Sequence, residues 1–198
     1  MGIGPVIDNG FFYDFQLPKQ LSEDDFPAIE ARMRQIVKAD LPMVRWSEPR
    51  EEARKRCEEL SQTFKVRLID DLPDEAEISF YQQGDFVDLC KGPHIESTGK
   101  IGAFKLMSIA GAYWRGKAEN EQLTRVYGVA FETQDELDSY LIKLEEAKRR
   151  DHRVVGKHLK LFHIDDAVGQ GLVLWTPAGG AIRTELQNFI SNELRKQG

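Results

Sequence analysis

No run of apolar residues in this chain approaches the roughly 20 that a membrane-spanning helix needs. The first residues, Met-Gly-Ile-Gly-Pro-Val, carry neither the basic segment nor the apolar stretch of an export signal. Val6 stands where an N-acylation signal wants Ser or Thr. Cysteine is scarce: Cys57 and Cys90 are too few for a disulfide framework. Reduced thiols in the cytoplasm, with no membrane partner, are the expectation. Internal repeats and low-complexity segments are lacking as well. Positive charge is in deficit, with 27 Lys and Arg against 33 Asp and Glu, a net charge of -6. Phosphate binding rewards cations, so the overall balance speaks against a nucleic-acid partner.

What remains is an ordinary globular composition: 198 residues, 41% apolar and 30% charged. That suffices for one sizeable core and a small second unit. The cations are unevenly spread. Lys143, Lys148, Arg149, Arg150, Arg153, Lys157 and Lys160 face only Glu145, Glu146 and Asp151 over the same stretch. Such a stripe could meet a phosphate backbone; the alternative is a solvated helix face.

Periodicity gives the elements. Asn9-Gly10 between apolar runs signals a hairpin near the start. Ser22 and Asp25 cap a helix whose Phe26, Ile29, Met33, Ile36 and Val37 share a face. Pro42–Trp46 reads as a strand, followed by a helix opened by Pro49 and capped by Ser47. Ala53, Cys57 and Leu60 form its apolar side, which makes Cys57 a core residue. Residues 77–81 and 86–90 flank Gln-Gln-Gly-Asp as a second hairpin. Residues 103–109 and 123–131 are further strands. Thr133-Gln-Asp-Glu136 is a capping box that opens a long helix, with Leu137, Leu141 and Leu144 facing inward. After Phe162 the texture changes to a short strand at 172–175 and a helix from 181 to 196. The predicted fold class is α+β, an antiparallel sheet with helices mainly on one face. The predicted domains are 1–132, a linking helical segment 133–166, and the opening of a second domain at 167–198.

Cys90 and His94 lead the candidates for chemistry. Gly92-Pro93 between them keeps the pair off a helix and on a strand end and turn. A thiol beside an imidazole can serve nucleophilic, acid–base or metal chemistry; a buried thiol next to a structural histidine is the plainer reading. Metal binding takes three or four ligands. The other histidines, His152, His158 and His163, are spaced for neither one helix face nor a zinc finger. Asp88, two residues before Cys90, falls on the same strand face. Lys65, between apolar neighbours, is an inward cation or, more simply, a solvated lysine. Ala110-Gly-Ala-Tyr-Trp-Arg-Gly116 could stack on unpaired bases or be a core Trp beside an exposed Arg.

Several segments together resemble one family. Gly4-Pro-Val-Ile-Asp-Asn-Gly-Phe-Phe-Tyr-Asp14, Asp88-Leu-Cys-Lys-Gly-Pro-His94, Lys105-Leu-Met and residues 110–116 are similar, in order and spacing, to blocks of bacterial threonyl-tRNA synthetases. So are residues 144–153 and 156–162. The resemblance covers nearly the whole chain. It implies the editing domain whose fold alanyl-tRNA synthetases share. Trp175-Thr-Pro-Ala-Gly-Gly-Ala-Ile-Arg183 resembles the entry to the class II catalytic domain.

The resemblance also implies function. The parent enzyme ligates threonine to tRNA(Thr) with ATP, and this region hydrolyses mischarged seryl-tRNA(Thr). A missing methyl is worth only about 1–3 kcal/mol, so a second, hydrolytic site is needed. By resemblance, Lys65 and His94 position water and the terminal ribose, Asp88 holds the seryl ammonium, and Cys90 lines the pocket. Tyr13 and Tyr113 are candidates for the pocket wall. The partners implied are the acceptor end of tRNA(Thr) and its serine or threonine ester, with a homodimeric parent. No cofactor is expected for this region; ATP, Mg and zinc belong to the parent's catalytic domain, and Cys90 and His94 are the only metal-ligand candidates here. The family's site also uses an H-x-x-x-H motif, placed before Gly4-Pro-Val, that this chain does not contain. The alternative is therefore a non-catalytic tRNA-binding module with a vestigial pocket. A structural metal-binding domain and a free-standing editing protein are the remaining rivals.

Overall fold

Short turns between amphipathic segments let the chain fold back repeatedly, and the result divides into two compact units, Met1–Leu137 and Asp138–Gly198. The computed structural model describes residues 1–8 and 10–198. Asn9 of the first turn signal lies outside the described residues.

The first unit is α+β and built on two antiparallel sheets. One has the order β1-β2-β7-β6, from β1 (Val6–Ile7), β2 (Gly10–Phe15), β6 (Ala103–Tyr113) and β7 (Gln122–Phe131). Ile7 pairs with Gly10, so the expected first hairpin is present. The other sheet has the order β3-β4-β5, from β3 (Val44–Glu48), β4 (Ile78–Gln83) and β5 (Phe86–Leu89). Gln83 pairs with Phe86 across a two-residue turn, where Gly84 takes φ +57°. Glycine meets that left-handed demand without a steric cost.

Three helices cover these sheets. In α1 (Phe26–Ala39), the backbone N–H of Ser22 donates to Asp25 at 2.9 Å just before the first turn. Phe26, Ile29 and Met33 then pack on Leu106 and Val126 of the four-stranded sheet. The helices α2 (Arg50–Glu59) and α3 (Thr63–Asp71) lie on one face of the three-stranded sheet. Ala53, Cys57 and Ile69 meet Ile78 and Phe80 there. Cys57 is fully buried, as its helical position predicts, and burial pushes its thiol up to about 11.

Two local expectations shift. The strand expected at Pro42–Trp46 runs two residues later, because Pro42 cannot donate to a ladder and makes only an isolated bridge to Ser97. Ser47 therefore sits in β3, opposite Ser79 and bonded to Glu77, and Pro49 takes the position before α2. Of the two readings of the aromatic–arginine segment, the core Trp beside an exposed Arg holds, not the base-stacking surface. That indole is 3% exposed and packs with Phe64 and Leu123, while Arg115 pairs with Asp71. A large apolar ring beside a helix is worth more buried than free.

The helix α4 (Gln134–Arg149) begins with the expected capping box: Thr133 N–H donates to Glu136 at 3.1 Å, and Glu136 N–H to Thr133 Oγ1 at 3.3 Å. In the second unit, α5 (His152–His158) is capped by Asp151, and β8 (Phe162–Ile164) pairs with β9 (Val173–Trp175). The last helix, α6 (Pro177–Gln197), is capped by Thr176, whose Oγ1 accepts from Gly179 N–H at 3.3 Å. No helix among the described residues is long and apolar enough to cross a membrane.

Candidate functional site

Antiparallel pairing decides which side chains meet. Tyr81 lies opposite Asp88, and Phe80 opposite Leu89. Side chains alternate along a strand, so Ile78, Phe80, Val87 and Leu89 face α2 and α3. Ser79, Tyr81, Asp88 and Cys90 take the other face. The expectation that Asp88 and Cys90 share a face holds. Cys90 continues the pairing just past β5, its N–H donating to Ser79 O at 3.1 Å and its carbonyl accepting from Ser79 Oγ at 2.7 Å.

Lys65 is the clearest revision. Solvation was the plainer reading, yet it is 3% exposed on α3. Its ammonium lies 3.0 Å from Asp88 Oδ1. It also donates to Tyr13 Oη at 3.1 Å and to Leu89 O at 3.4 Å. All three ammonium protons thus have acceptors. Tyr13, from β2 of the other sheet, donates its hydroxyl to Asp88 Oδ2 at 2.6 Å. Asp88 Oδ1 takes Leu89 N–H as well, at 2.9 Å. A helix and both sheets therefore converge on one buried ion pair and one phenol. Breaking such a pair by removing one partner leaves an uncompensated buried charge.

Burial, then the Asp88 charge and its hydrogen bond, hold the Tyr13 hydroxyl far above the ordinary tyrosine range.

Cys90 and His94 are also brought together. His94 Nε2 is 3.1 Å from Cys90 Sγ. Cys90 is half-buried and His94 exposed. Tyr81 meets the His94 ring edge-on, with centroids 4.3 Å apart at 78°. Gly92 between them takes φ +75°, and a Cβ there would collide with the Tyr81 hydroxyl. Tyr81 and Ser79 thus hold the turn that carries Cys90 and His94. Neither stands out in the sequence; their place three and five residues along the hairpin from its turn is the available signal. Tyr113 lies at the end of β6, paired with Gln122 and 44% exposed.

Beside the cluster lies a cavity of about 850 Å³ in the first unit. Phe11, Phe15, Ile29, Met33 and Leu106 give it an apolar wall. Of the candidate residues only Tyr13 lines it. The cavity has the size of a ligand pocket, but the ionisable groups sit at its margin.

Among the described residues no group of three or more His, Cys, Asp or Glu is placed to hold a metal ion. Cys90 and His94 supply two donors, short of the three protein ligands of a catalytic zinc and the four of a structural one. As they stand they do not fit a zinc site.

Residues 78–127, which include β4, β5 and the Cys90–His94 turn, match the family described as the threonyl and alanyl tRNA synthetase second additional domain. Relatives match along the chain's full length. A threonine–tRNA ligase from Rhodopirellula baltica is 53% identical over 199 residues, covering 100% of this chain and 27% of that protein. One from Thermus thermophilus is 53% identical over 203 residues, covering 100% of this chain and 31% of its own length. One from Geobacillus kaustophilus is 53% identical over 190 residues, covering 96% of this chain and 29% of its own. The chain spans about 30% of the length of these relatives. The chain belongs to the threonyl-tRNA synthetase family and carries that family's second additional domain.

Proposed function

We propose that this chain forms part of a threonine–tRNA ligase and that its first unit hydrolyses seryl-tRNA(Thr), the product of charging the wrong amino acid. The observation that carries this is the convergence of Lys65, Asp88 and Tyr13 beside the Cys90–His94 pair, with Asp88, Cys90 and His94 inside the matched residues 78–127. Ester hydrolysis needs a placed water, a group to take its proton, and a hold on the ribose. His94, exposed and steadied by Tyr81, is the group a water or ribose hydroxyl can reach.

Asp88 and Lys65 act by exchange. Each oxygen of Asp88 already has two donors. A seryl ammonium reaches Asp88 by displacing the Lys65 ammonium, which then turns to the ribose or the water. Cys90, beside His94, limits the room for threonine's additional methyl. A covalent acyl-Cys90 step is unnecessary for an activated ester. The partner is the acceptor end of tRNA(Thr), and the setting is the cytoplasm. The parent enzyme, a homodimer, brings ATP, Mg and zinc to its catalytic domain.

The test is deacylation of seryl-tRNA(Thr) by the full-length protein, with Cys90→Ala and His94→Ala compared. Loss of at least tenfold in His94→Ala is expected, with threonyl-tRNA(Thr) spared in the parent. Unchanged rates in both variants would sink the assignment. The second reading, a tRNA-binding module with a vestigial pocket, has one observation in its favour: Lys65, Tyr13 and the Leu89 N–H already occupy both Asp88 oxygens. Binding of tRNA without hydrolysis would establish it.

A further inference from the structure

The segment joining β6 to β7 folds over the C-terminal end of α3 and leaves a cavity of about 400 Å³ between them, within the first unit. Its backbone is held in an uncommon form. Arg115 takes φ +57° and Gly116 φ +68°, and a left-handed arginine persists only where its surroundings over-determine it. Here the Arg115 guanidinium pairs with Asp71, the last residue of α3. Arg67 of the same helix binds Glu121 through two hydrogen bonds, at 3.0 and 2.7 Å. Asp70 is taken by Arg54 at 3.1 Å. Two ion pairs thus clamp the segment to the helix and spend the charges that form them.

Four groups at the cavity are left over. Trp114 borders it and is almost fully buried, yet its indole N–H donates to no acceptor among the described residues. A buried indole ordinarily finds one. No fully enclosed side-chain nitrogen or oxygen among these residues lacks a partner, so the indole nitrogen lies on the part of the ring that is still open. Asn120 donates through Nδ2 to the Trp114 carbonyl at 2.9 Å, which leaves its Oδ1 as an acceptor. Lys117 and Glu119 also border the cavity, and neither makes an ion pair among the described residues. The lining therefore offers a cation with a neutral donor and a carboxylate with a neutral acceptor. Its charges balance, with Arg67, Arg115 and Lys117 against Asp70, Asp71 and Glu119. A polyanion or a polycation gains little from such a site.

We propose that this cavity binds a free amino acid as its zwitterion. The carboxylate meets the Lys117 ammonium and the Trp114 indole N–H, and the α-ammonium meets Glu119 and the Asn120 Oδ1. The volume is that of a small-ligand pocket. No group of the Lys65–Asp88–Tyr13 cluster takes part, so binding here does not depend on hydrolysis at that cluster.

The experiment is a titration of the isotopically labelled chain with glycine, read by the indole N–H magnetic resonance signals of its 3 tryptophans. The Trp114 signal is the one that survives in both Trp46→Phe and Trp175→Phe. Glycine should move it saturably. Acetate or methylammonium at the same concentration should leave it in place. So should glycine betaine, whose quaternary ammonium has no hydrogen to donate. Lys117→Gln/Glu119→Gln keeps the net charge and should weaken glycine binding about tenfold. A Trp114 signal unmoved by glycine overturns the proposal. An equal shift with acetate or with betaine overturns it too, in favour of a site that reads an anion or charge alone. Unweakened binding in the double variant places the amino acid elsewhere and also overturns it. Glycine carries no ester, so the outcome is the same whether or not seryl-tRNA(Thr) is hydrolysed.

Discussion

The Lys65 ammonium and the Asp88 carboxylate, 3.0 Å apart, have side chains only 4% and 15% exposed, so removing either side chain leaves the other charge buried without its partner. Lys65→Met should therefore destabilise the first unit by about 3–5 kcal/mol. Lys65→Met/Asp88→Leu should recover a substantial part of that loss, because no buried charge is left alone. Urea unfolding of the two variants and the parent chain checks this. Equal destabilisation in the single and double variants would show that packing, not charge, sets the cost.

Tyr13 makes alkaline stability testable. Its hydroxyl titrates in the folded state well above the unfolded value of 10.0. Above pH 10 the unfolded chain releases this proton and the folded chain keeps it. The stabilisation is complete below pH 10 and declines as pH rises from there toward the folded pKa. Tyr13→Phe should flatten the fall in stability above pH 10. In the native parent chain, ultraviolet titration to pH 11 should match that of Tyr13→Phe. A native phenolate signal that disappears in Tyr13→Phe would refute the buried, bonded hydroxyl.

The two thiols should separate cleanly. Cys57 has no exposure and a thiol pushed up to about 11, while Cys90 is half-buried beside His94. A disulfide reagent at pH 8 should modify one thiol per native chain and two after unfolding. Cys90→Ala should leave the native chain unreactive. Two native equivalents would show that Cys57 is not enclosed by Ala53, Ile69, Ile78 and Phe80.

Tyr81 should be visible in the spectrum of His94. An edge-on ring at 4.3 Å perturbs the imidazole protons. Of the 4 histidine ring signals, one should move in Tyr81→Leu and stay in place in Tyr81→Phe. Four unmoved signals in Tyr81→Leu would dissolve the contact.

Much of this was legible in the sequence because it depends on local rules. Gly84 in its turn, the Thr133–Glu136 box and Cys57 on an apolar helix face each answer to neighbours within a few residues. Lys65 does not. Its burial depends on Asp88, 23 residues away, and Tyr13, 52 away, and nothing local distinguishes it from a solvated lysine. Trp114 has two local readings, a stacking surface with Tyr113 and Arg115 or a core ring, and only Phe64 on α3 decides for the core. The face shared by Asp88 and Cys90 follows from alternation; that Tyr13 would meet it follows only from how two sheets pack.

The turn at Gly84 and Asp85 also acts as a ruler. Counting from it, Tyr81 and Asp88 fall at matching steps on the two arms of the hairpin. One extra residue in that turn would bring Val87 or Leu89 to the polar side and send Asp88 among Ile78 and Phe80. Lys65 and Tyr13 would then face hydrocarbon without having moved. The ionic centre of the first unit is thus specified by an integer, and an insertion there should silence it even with every residue of the site intact.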